Sequence, residues 1–476
     1  MTINITPINN QSFNLETSST TINLLNHFDD PLTTGKVANF NLGDNSLGSG
    51  EINIVLFDQT GDGAPIAVNN FASYVDGGDY NNSIIDTNNS IIDTSVKSKS
   101  KYLLGGAYTV ENLEVKRITP KAPIENEFSA QRSNKAGTIA MYNLTNDPNS
   151  ARNRWVFNVG DNPDFDTFNG GLTVFGQVLS PEDLNTLNAI ASLPTIVTQL
   201  QVRSSSNNSN SVLSTPFRNL PVNDSNANDF NFPYSSYPFT EDNQFVRFEN
   251  ITIDNVLEFT FTVESNTNPN VVSPSFDNQG NLILDYGSSL KTPLYRFQNQ
   301  DLPGTYLFVG EEERKNILRN FRNFKEEGLA FKSASQANGD TIKTGETDIT
   351  IKATNLLGES AQQSFNVSVT GDVPENENQD QLIRFNRFQN RDIPSTYLYA
   401  SEEESRSIRQ NYTNFIEEGI AFYTYGADAN LGQDIYRFQN TSQPGTYLFV
   451  GEEEKNSILA NYPQFVLEGV AFEVAV

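Results

Sequence analysis

Along this chain, apolar residues gather in short runs rich in β-branched and aromatic side chains, separated by clusters of Asn, Asp, Ser, Pro and Gly. Glu51–Phe57, Thr138–Met141, Arg154–Val159 and Leu172–Val178 are such runs in the first half. Asn255–Ser265, Val271–Phe276, Asn281–Tyr286, Thr347–Thr354 and Gln363–Thr370 continue the pattern. Runs of this length and alternation predict strands, and the chain reads as mainly β and multidomain. One stretch breaks the pattern. Ser180 and Pro181 precede Leu184, Leu187 and Ile190, a start signal followed by helical spacing, which predicts a helix over 180–193. Residues 1–35 are polar apart from Ile22–Leu25 and read as an arm laid against the first domain. Residues 203–245 are rich in Ser, Asn, Pro and Asp and read as an extended connector.

Two kinds of internal repetition stand out. Asn-Asn-Ser-Ile-Ile-Asp-Thr occurs at 81–87 and again, identically, at 88–94. A larger unit recurs three times. It reads Arg296-Phe-Gln-Asn, Thr305-Tyr-Leu-Phe, Glu311-Glu-Glu, Glu327-Gly-Leu-Ala-Phe331 in its first copy. Copy two carries Arg387, Thr396, Glu402–Glu404 and Glu418–Phe422; copy three carries Arg437, Thr446, Glu452–Glu454 and Glu468–Phe472. Each copy predicts strand, turn, strand, a short helix over the glutamates and a final strand. A unit of about 40 residues without disulfide or metal does not cover its own apolar face. Closure of all three around one core is therefore expected, with Phe297, Phe388 and Phe438 equivalent. The competing arrangement leaves copy one alone on its neighbours and pairs copies two and three. The recurrent Arg and Glu read either as linings of three ligand pockets or as structural ion pairs inside each copy.

Four blocks in order resemble the cyclophilin-type peptidyl-prolyl isomerases. They are Gly50–Phe57, Ala64-Pro65 through Val75 with its Asn70-Phe71, Gly137–Met141 with the following Asn-rich turn and Trp155-Val-Phe, and Val174-Phe-Gly176. The resemblance covers roughly 36–200. It implies a closed β-barrel with flanking helices and binding of proline-containing peptides in an apolar pocket. It also implies a guanidinium that weakens conjugation of the prolyl amide, whose barrier is ~18–20 kcal/mol. Aligning the second heptad copy places Thr94 where the family has its catalytic Arg. Substrate-pocket positions fall on Thr94, Tyr102, Leu104, Tyr142, Asn143, Arg154, Val156, Phe165 and Leu172, and most depart from the family pattern. Leu104 and Arg154 replace glutamines, Val156 replaces the pocket-floor Phe, and Tyr142 replaces a small Ala. A short, neutral Thr does not substitute for Arg, so no catalytic residue is intact. Arg154 and the Lys97, Lys99, Lys101 run are the charges that could reach in instead.

Strands from 246 onward resemble a bacterial immunoglobulin-like or cadherin-like module, a two-sheet sandwich. The three copies resemble a repeat of secreted bacterial proteins thought to form β-trefoils. The expected organisation is an arm at 1–35, a cyclophilin-like domain at 36–202 and a connector at 203–245. A split sandwich follows at 246–290 and 336–371, and a β-trefoil built from 291–335, 382–426 and 432–476.

Charge and composition narrow the partners. Lys and Arg number 31 against 58 Asp and Glu, a net charge of −27, which argues against nucleic acid or anionic membrane. There is no Cys and one His, His27, so thiolate chemistry is excluded and neither a cofactor nor a metal is expected. Asp58, Thr60 and Asp62 alternate like half a calcium loop but lack the distal Glu. No basic leader or long apolar segment marks the N-terminus. The composition suits a secreted or cell-surface protein exported without a cleaved signal, with the cytoplasm left open. Two functional readings remain. One is a peptide- or glycan-binding surface protein on a cyclophilin scaffold with weak or lost catalysis. The other is an active isomerase positioned by C-terminal modules that dock on a surface glycan or protein.

Overall fold

The computed structural model describes residues 2–43, 46–89, 101–144, 147–203, 212–224, 237–373 and 382–475. The chain forms two compact units. One contains Met1–Asn4, Asp30–Glu258 and Thr354–Glu359; the other contains Ile5–Asp29, Phe259–Ala353 and Ser360–Val476.

The first unit is built on a twelve-stranded sheet. Its central strands are Tyr102–Glu111, Trp155–Asn158, Thr138–Met141, Val174–Val178, Glu51–Leu56 and Lys36–Asn41, neighbours in that order. Two helices, Pro65–Asp76 and Pro181–Ala191, flank it. Both start on proline, as the pattern predicts. Ser180 caps the second by accepting the Asp183 N–H at 3.2 Å. The first lacks a local cap, and Glu127 supplies one from 61 and 60 residues away, accepting the N–H groups of Ile66 at 3.1 Å and Ala67 at 2.8 Å. The core is aromatic: Phe40 lies 5.5 Å from Trp155, 5.2 Å from Phe157 and 5.2 Å from Phe248.

The expected closed barrel is not formed by one continuous ladder. Arg247–Phe248 pairs with Ser83–Ile84, whereas Asn250–Asn255 pairs with Lys36–Asn41. The chain crosses between these two edges at Glu249. Its N–H donates to Asn41 at 2.8 Å and its carbonyl accepts from Asn82 at 3.2 Å. Residues 212–221, read above as connector, are a strand antiparallel to Thr195–Arg203.

The first heptad copy enters the sheet, and of the second copy only Asn88 and Asn89 lie among the described residues. Ser83–Asn88 pairs with Tyr102–Glu111, and Ser83, Ile84 and Ile85 are fully buried. Thr94 lies outside the described residues, as do Lys97 and Lys99.

Of the segment read as an arm at 1–35, Ile5–Asp29 belongs to the second unit and enters its sheets. Gln11–Asn14 adds in parallel to Ser360–Thr370, and Ser19–Asn23 pairs with Asn281–Asp285. Each completes a sheet that otherwise lacks an edge partner there. The resulting four-stranded and three-stranded sheets meet through Phe261 and Phe276, whose rings are 6.2 Å apart. His27 belongs to this segment and bonds the Thr6 carbonyl through Nδ1 at 3.1 Å.

The three copies form three lobes with the predicted order of elements, their helices being Glu311–Asn320, Glu402–Asn411 and Glu452–Asn461. They share one apolar cluster. Its centre is a triangle of equivalent phenylalanines. Phe331 is 5.4 Å from Phe422 and 5.5 Å from Phe472, and the last two are 5.3 Å apart. Phe308, Tyr399 and Phe449 form a second layer in the same cluster. Phe297, Phe388 and Phe438 are in equivalent positions as expected, opposite Leu307, Leu398 and Leu448 and fully buried; Phe388 lies in the shared cluster and Phe438 in a satellite cluster with Leu448 and Ile458.

Charges close the same ring. Arg296 of lobe one binds Glu454 of lobe three at 2.7 Å, Arg437 of lobe three binds Glu404 of lobe two at 2.8 Å, and Arg387 of lobe two binds Glu313 of lobe one at 3.0 Å. Each Arg also holds a Glu of its own lobe, Glu327, Glu468 or Glu418, at 2.6 Å. The pairs are thus links between lobes as well as within them. Thr305, Thr396 and Thr446 are buried and each donates to a carbonyl three residues back at 2.8 Å, closing equivalent turns.

Two outcomes follow. Removing 81–87 or 88–94 yields the same polypeptide, because the copies are identical, and either leaves an intact Ser-Ile-Ile-Asp-Thr strand. The melting temperature should move by less than about 3 °C in a thermal scan, since shortening a connection costs little. Phe422→Ala should cost about 3–5 kcal/mol in denaturant titration. Tyr412→Ala, at an exposed helix end, should cost less than about 1 kcal/mol.

Candidate functional site

The Tyr102–Glu111, Thr138–Met141 and Trp155–Asn158 strands, with the loop over 159–172, carry most of the positions expected to bind substrate. Small residues let two of the strands touch. A Cβ on Gly105 would lie 2.4 Å from the Trp155 ring, and Gly106 has φ +78°. The loop is tied by a buried amide chain. Asn162 Nδ2 donates to Asn158 at 2.7 Å, Asn158 Nδ2 donates to Asn134 at 3.1 Å, and Asn134 Nδ2 donates to the Leu172 carbonyl at 3.1 Å. This fixes Phe165 and Leu172 against the sheet.

Leu104, Val156, Phe165 and Leu172 come together in one apolar cluster with Leu32, Phe57, Ala140 and Val174. Val156 and Leu172 have no exposed surface. Tyr102 packs on Phe165 with rings 5.2 Å apart, and Tyr142 stacks on Phe168 at 6.3 Å. Leu357, in the Thr354–Glu359 segment of the same unit, packs on this cluster too. The place expected to receive a proline ring is filled by the chain's own side chains. Asn143 is buried, and its side-chain amide donates to Asn169 at 3.2 Å, tying two loops together.

Arg154 brings a guanidinium to this rim, but it is engaged. It binds Asp86 at 2.7 Å and sits over the Tyr142 ring at 5.6 Å. Asp86 and its neighbour Thr87 belong to the first heptad copy, and Thr87 is paired across the ladder with Leu104. Thr87 is the threonine of the first copy, and Thr94, the threonine of the second, lies outside the described residues. The first copy follows Tyr80 directly, and Asn82 takes φ +58° in the turn that starts the strand. Burial raises the Asp86 carboxyl above the ordinary aspartate range, outweighing the Arg154 charge and the Thr87 hydroxyl.

Beside the filled pocket lies an open groove of about 380 Å³. Tyr142, Leu144, Asn153 and Arg154 line one side, and Tyr108, Arg117 and Ile118 the other. The structure adds Arg117 and Arg152 to this groove; neither was singled out in sequence. Asp58 is taken up by Thr34 and Lys36, at 2.6 and 3.2 Å. Among the described residues no acidic or histidine cluster has metal-holding geometry.

The first unit matches known proteins. A family model described as cyclophilin type peptidyl-prolyl cis-trans isomerase/CLD fits residues 41–208. The peptidyl-prolyl cis-trans isomerase of Acinetobacter baylyi is 32% identical over 148 residues, which span 31% of this chain and 69% of that protein. This chain belongs to the cyclophilin-type peptidyl-prolyl cis-trans isomerase family. The cyp18 isomerase of Streptomyces antibioticus is 34% identical over 127 residues, 25% of this chain and 68% of that one. A solved Cryptosporidium parvum cyclophilin-type isomerase, crystallised in the presence of the dipeptide Ala-Pro, shares 18% identity, covers 34% of this chain and 87% of that chain, and has a TM-score of 0.24. The Mimivirus cyclophilin is likewise 18% identical, over 36% of this chain and 84% of that one, with a TM-score of 0.23. A second model, described as a domain of unknown function (DUF5648), fits residues 246–343 and 360–475.

The Arg154–Asp86 pair gives a pH signature. The folded state holds the Asp86 proton more tightly than the unfolded chain. Its contribution to stability is therefore full below the unfolded value of about 4 and is lost as pH rises through the raised folded value. Asp86→Asn cannot titrate. Measured by urea midpoints, the stability of the native protein relative to this variant should fall as pH is raised from about 4 to about 8.

Proposed function

We propose that the cyclophilin-type unit binds extended, proline-containing segments with weak or lost isomerisation. The observation that carries this reading is that Arg154, the guanidinium beside the apolar cluster, is paired with Asp86 at 2.7 Å, while the resemblance places a Thr where the family has its catalytic Arg. Lowering the prolyl barrier needs a preorganised donor aimed at the proline amide, in a pocket that holds the ring. Here the pocket is closed by Tyr142, Val156 and Leu172, and the accessible surface is the neighbouring Arg-lined groove. Tyr102, Leu104, Asn143 and Phe165 then serve as structural support for that groove. For the second unit, we read the three lobes as a β-trefoil on an immunoglobulin-like sandwich. The shared phenylalanine triangle and the ring of Arg–Glu pairs support that reading. A secreted or surface-attached protein suits both units.

A protease-coupled assay of the full chain on a Xaa-Pro peptide tests the proposal. Activity should be lower by ~10²-fold or more than at an intact site, the scale of losing one preorganised donor. Thr94→Arg alone should restore little, because Leu104 and Val156 remain. A rate near that of an ordinary cyclophilin would establish the alternative, an active isomerase positioned by its C-terminal unit.

A further inference from the structure

The three lobes carry the same helix start in three different states. In lobe one, Glu311 and Arg314 open the helix one turn apart, 3.1 Å from each other, and the guanidinium lies 4.2 Å above the Tyr295 ring. In lobe three the equivalent Glu452 and Lys455 pair at 2.6 Å, and the ammonium lies 3.9 Å above the equivalent Tyr436 ring. Lobe two has replaced both partners of the stack, with Asn386 for the tyrosine and Ser405 for the cation, and fills the space itself. There Asn386 bonds Glu402 and Ser405, both at 3.0 Å, and Arg384 also binds Glu402.

What covers these groups decides the inference. In lobe one the cover is an extended strand, Phe259–Asn266. Its Val263 N–H donates to Glu311 at 3.1 Å, and its Phe261 carbonyl accepts from Arg314 at 2.9 Å. A second extended segment donates the Phe276 N–H to the Tyr295 hydroxyl at 3.1 Å. The lobe-one cradle is thus a reader of extended backbone: a carboxylate for an N–H, a cation for a carbonyl and a tyrosine hydroxyl for a further N–H. In lobe three, Glu452 and Tyr436 line an open cleft of about 840 Å³, with Lys455 held against both of them. The Glu452 side chain is 59% exposed, where Glu311 is 17% exposed. The Tyr436 hydroxyl turns to Asp434 at 3.0 Å instead of meeting a backbone N–H.

We propose that the lobe-three cleft docks an extended, basic peptide segment of a partner protein, with Glu452 accepting a backbone N–H and Lys455 donating to a carbonyl, as Glu311 and Arg314 do for the Phe259–Asn266 strand. Charge selects the segment. Where lobe one balances Arg314 with both Glu311 and Glu326, lobe three has Leu467 at the second carboxylate position. Asp434 and Glu453 instead line the cleft beside Glu452, so side chains next to the bound backbone meet negative charge. Charge-assisted bonds to backbone give such a site its hold, and the acidic rim gives it preference. This inference does not depend on the isomerase reading, because none of its residues lies in the cyclophilin-type unit.

The probe is a synthetic peptide copying residues 258–266 with lysine at 260, 262 and 264, titrated by fluorescence anisotropy into the full-length protein. It should bind, and Glu452→Gln should weaken it by about tenfold, the cost of losing one charge-assisted bond. Lys455→Met should weaken it comparably, while Lys455→Arg, which restores the lobe-one residue, should keep or tighten binding. Glu403→Ala on lobe two should change nothing. N-methylation of the peptide at its Val263 nitrogen should abolish binding. Equal binding of a scrambled peptide of the same charge, indifference to Glu452→Gln and Lys455→Met, or no binding at all would overturn the proposal. Occupation of this cleft by a neutral oligosaccharide instead of the peptide would overturn it too. Melting curves of each variant separate loss of contact from loss of fold.

Discussion

Apolar faces in this chain are covered by side-chain packing. With no cysteine in the sequence and no metal-holding cluster among the described residues, every sheet must find a cover in the chain itself. That constraint explains otherwise separate features. Residues 11–14 and 19–23 are drawn into two sheets of the second unit. The Phe259–Asn266 strand serves both its own sheet and the cradle of lobe one. Three lobes too small to hold a core alone bring their Phe331, Phe422 and Phe472 to one triangle.

The same pressure acts on the candidate site. An open proline pocket exposes apolar surface for a ligand to cover. Here Tyr142 in place of a small residue, with Val156 and Leu172 fully buried, gives that surface to the chain's own packing. The polar residues at the rim follow: Arg154 pairs with Asp86, and Asn143 donates to loop carbonyls.

Charge is arranged by the repeat. Each lobe's Arg binds one Glu of its own lobe and one of the lobe before it around the ring, so three local sequence matches become a closed cycle. Each pair is partly exposed and contributes little by itself; their direction around the ring fixes which lobe follows which. The lobes then diverge at the helix start, where lobe one is covered by a strand, lobe two by its own arginine and lobe three by nothing within the described residues.

The cyclophilin-type family, the mainly β character, the Ser180-capped helix and the three copies were legible in the sequence, because each rests on local spacing that the fold preserves. The helix could be read from Ser180-Pro181 and the leucines behind them; the strand Thr138–Met141 lies where its β-branched run placed it. Other features were decided only by tertiary structure. Which heptad copy enters the sheet could not be read, because two identical segments carry the same propensity and only the turn after Tyr80 distinguishes them. The destination of residues 11–23 could not be read either, since two polar strands of that length acquire a partner only when an edge elsewhere offers one. The pairing of Arg154 with Asp86 spans 68 residues and depends on the register between strands. Sequence determined which segments are strands and which side chains are apolar; long-range pairing, set by where an uncovered edge or face remained, determined what each of them touches.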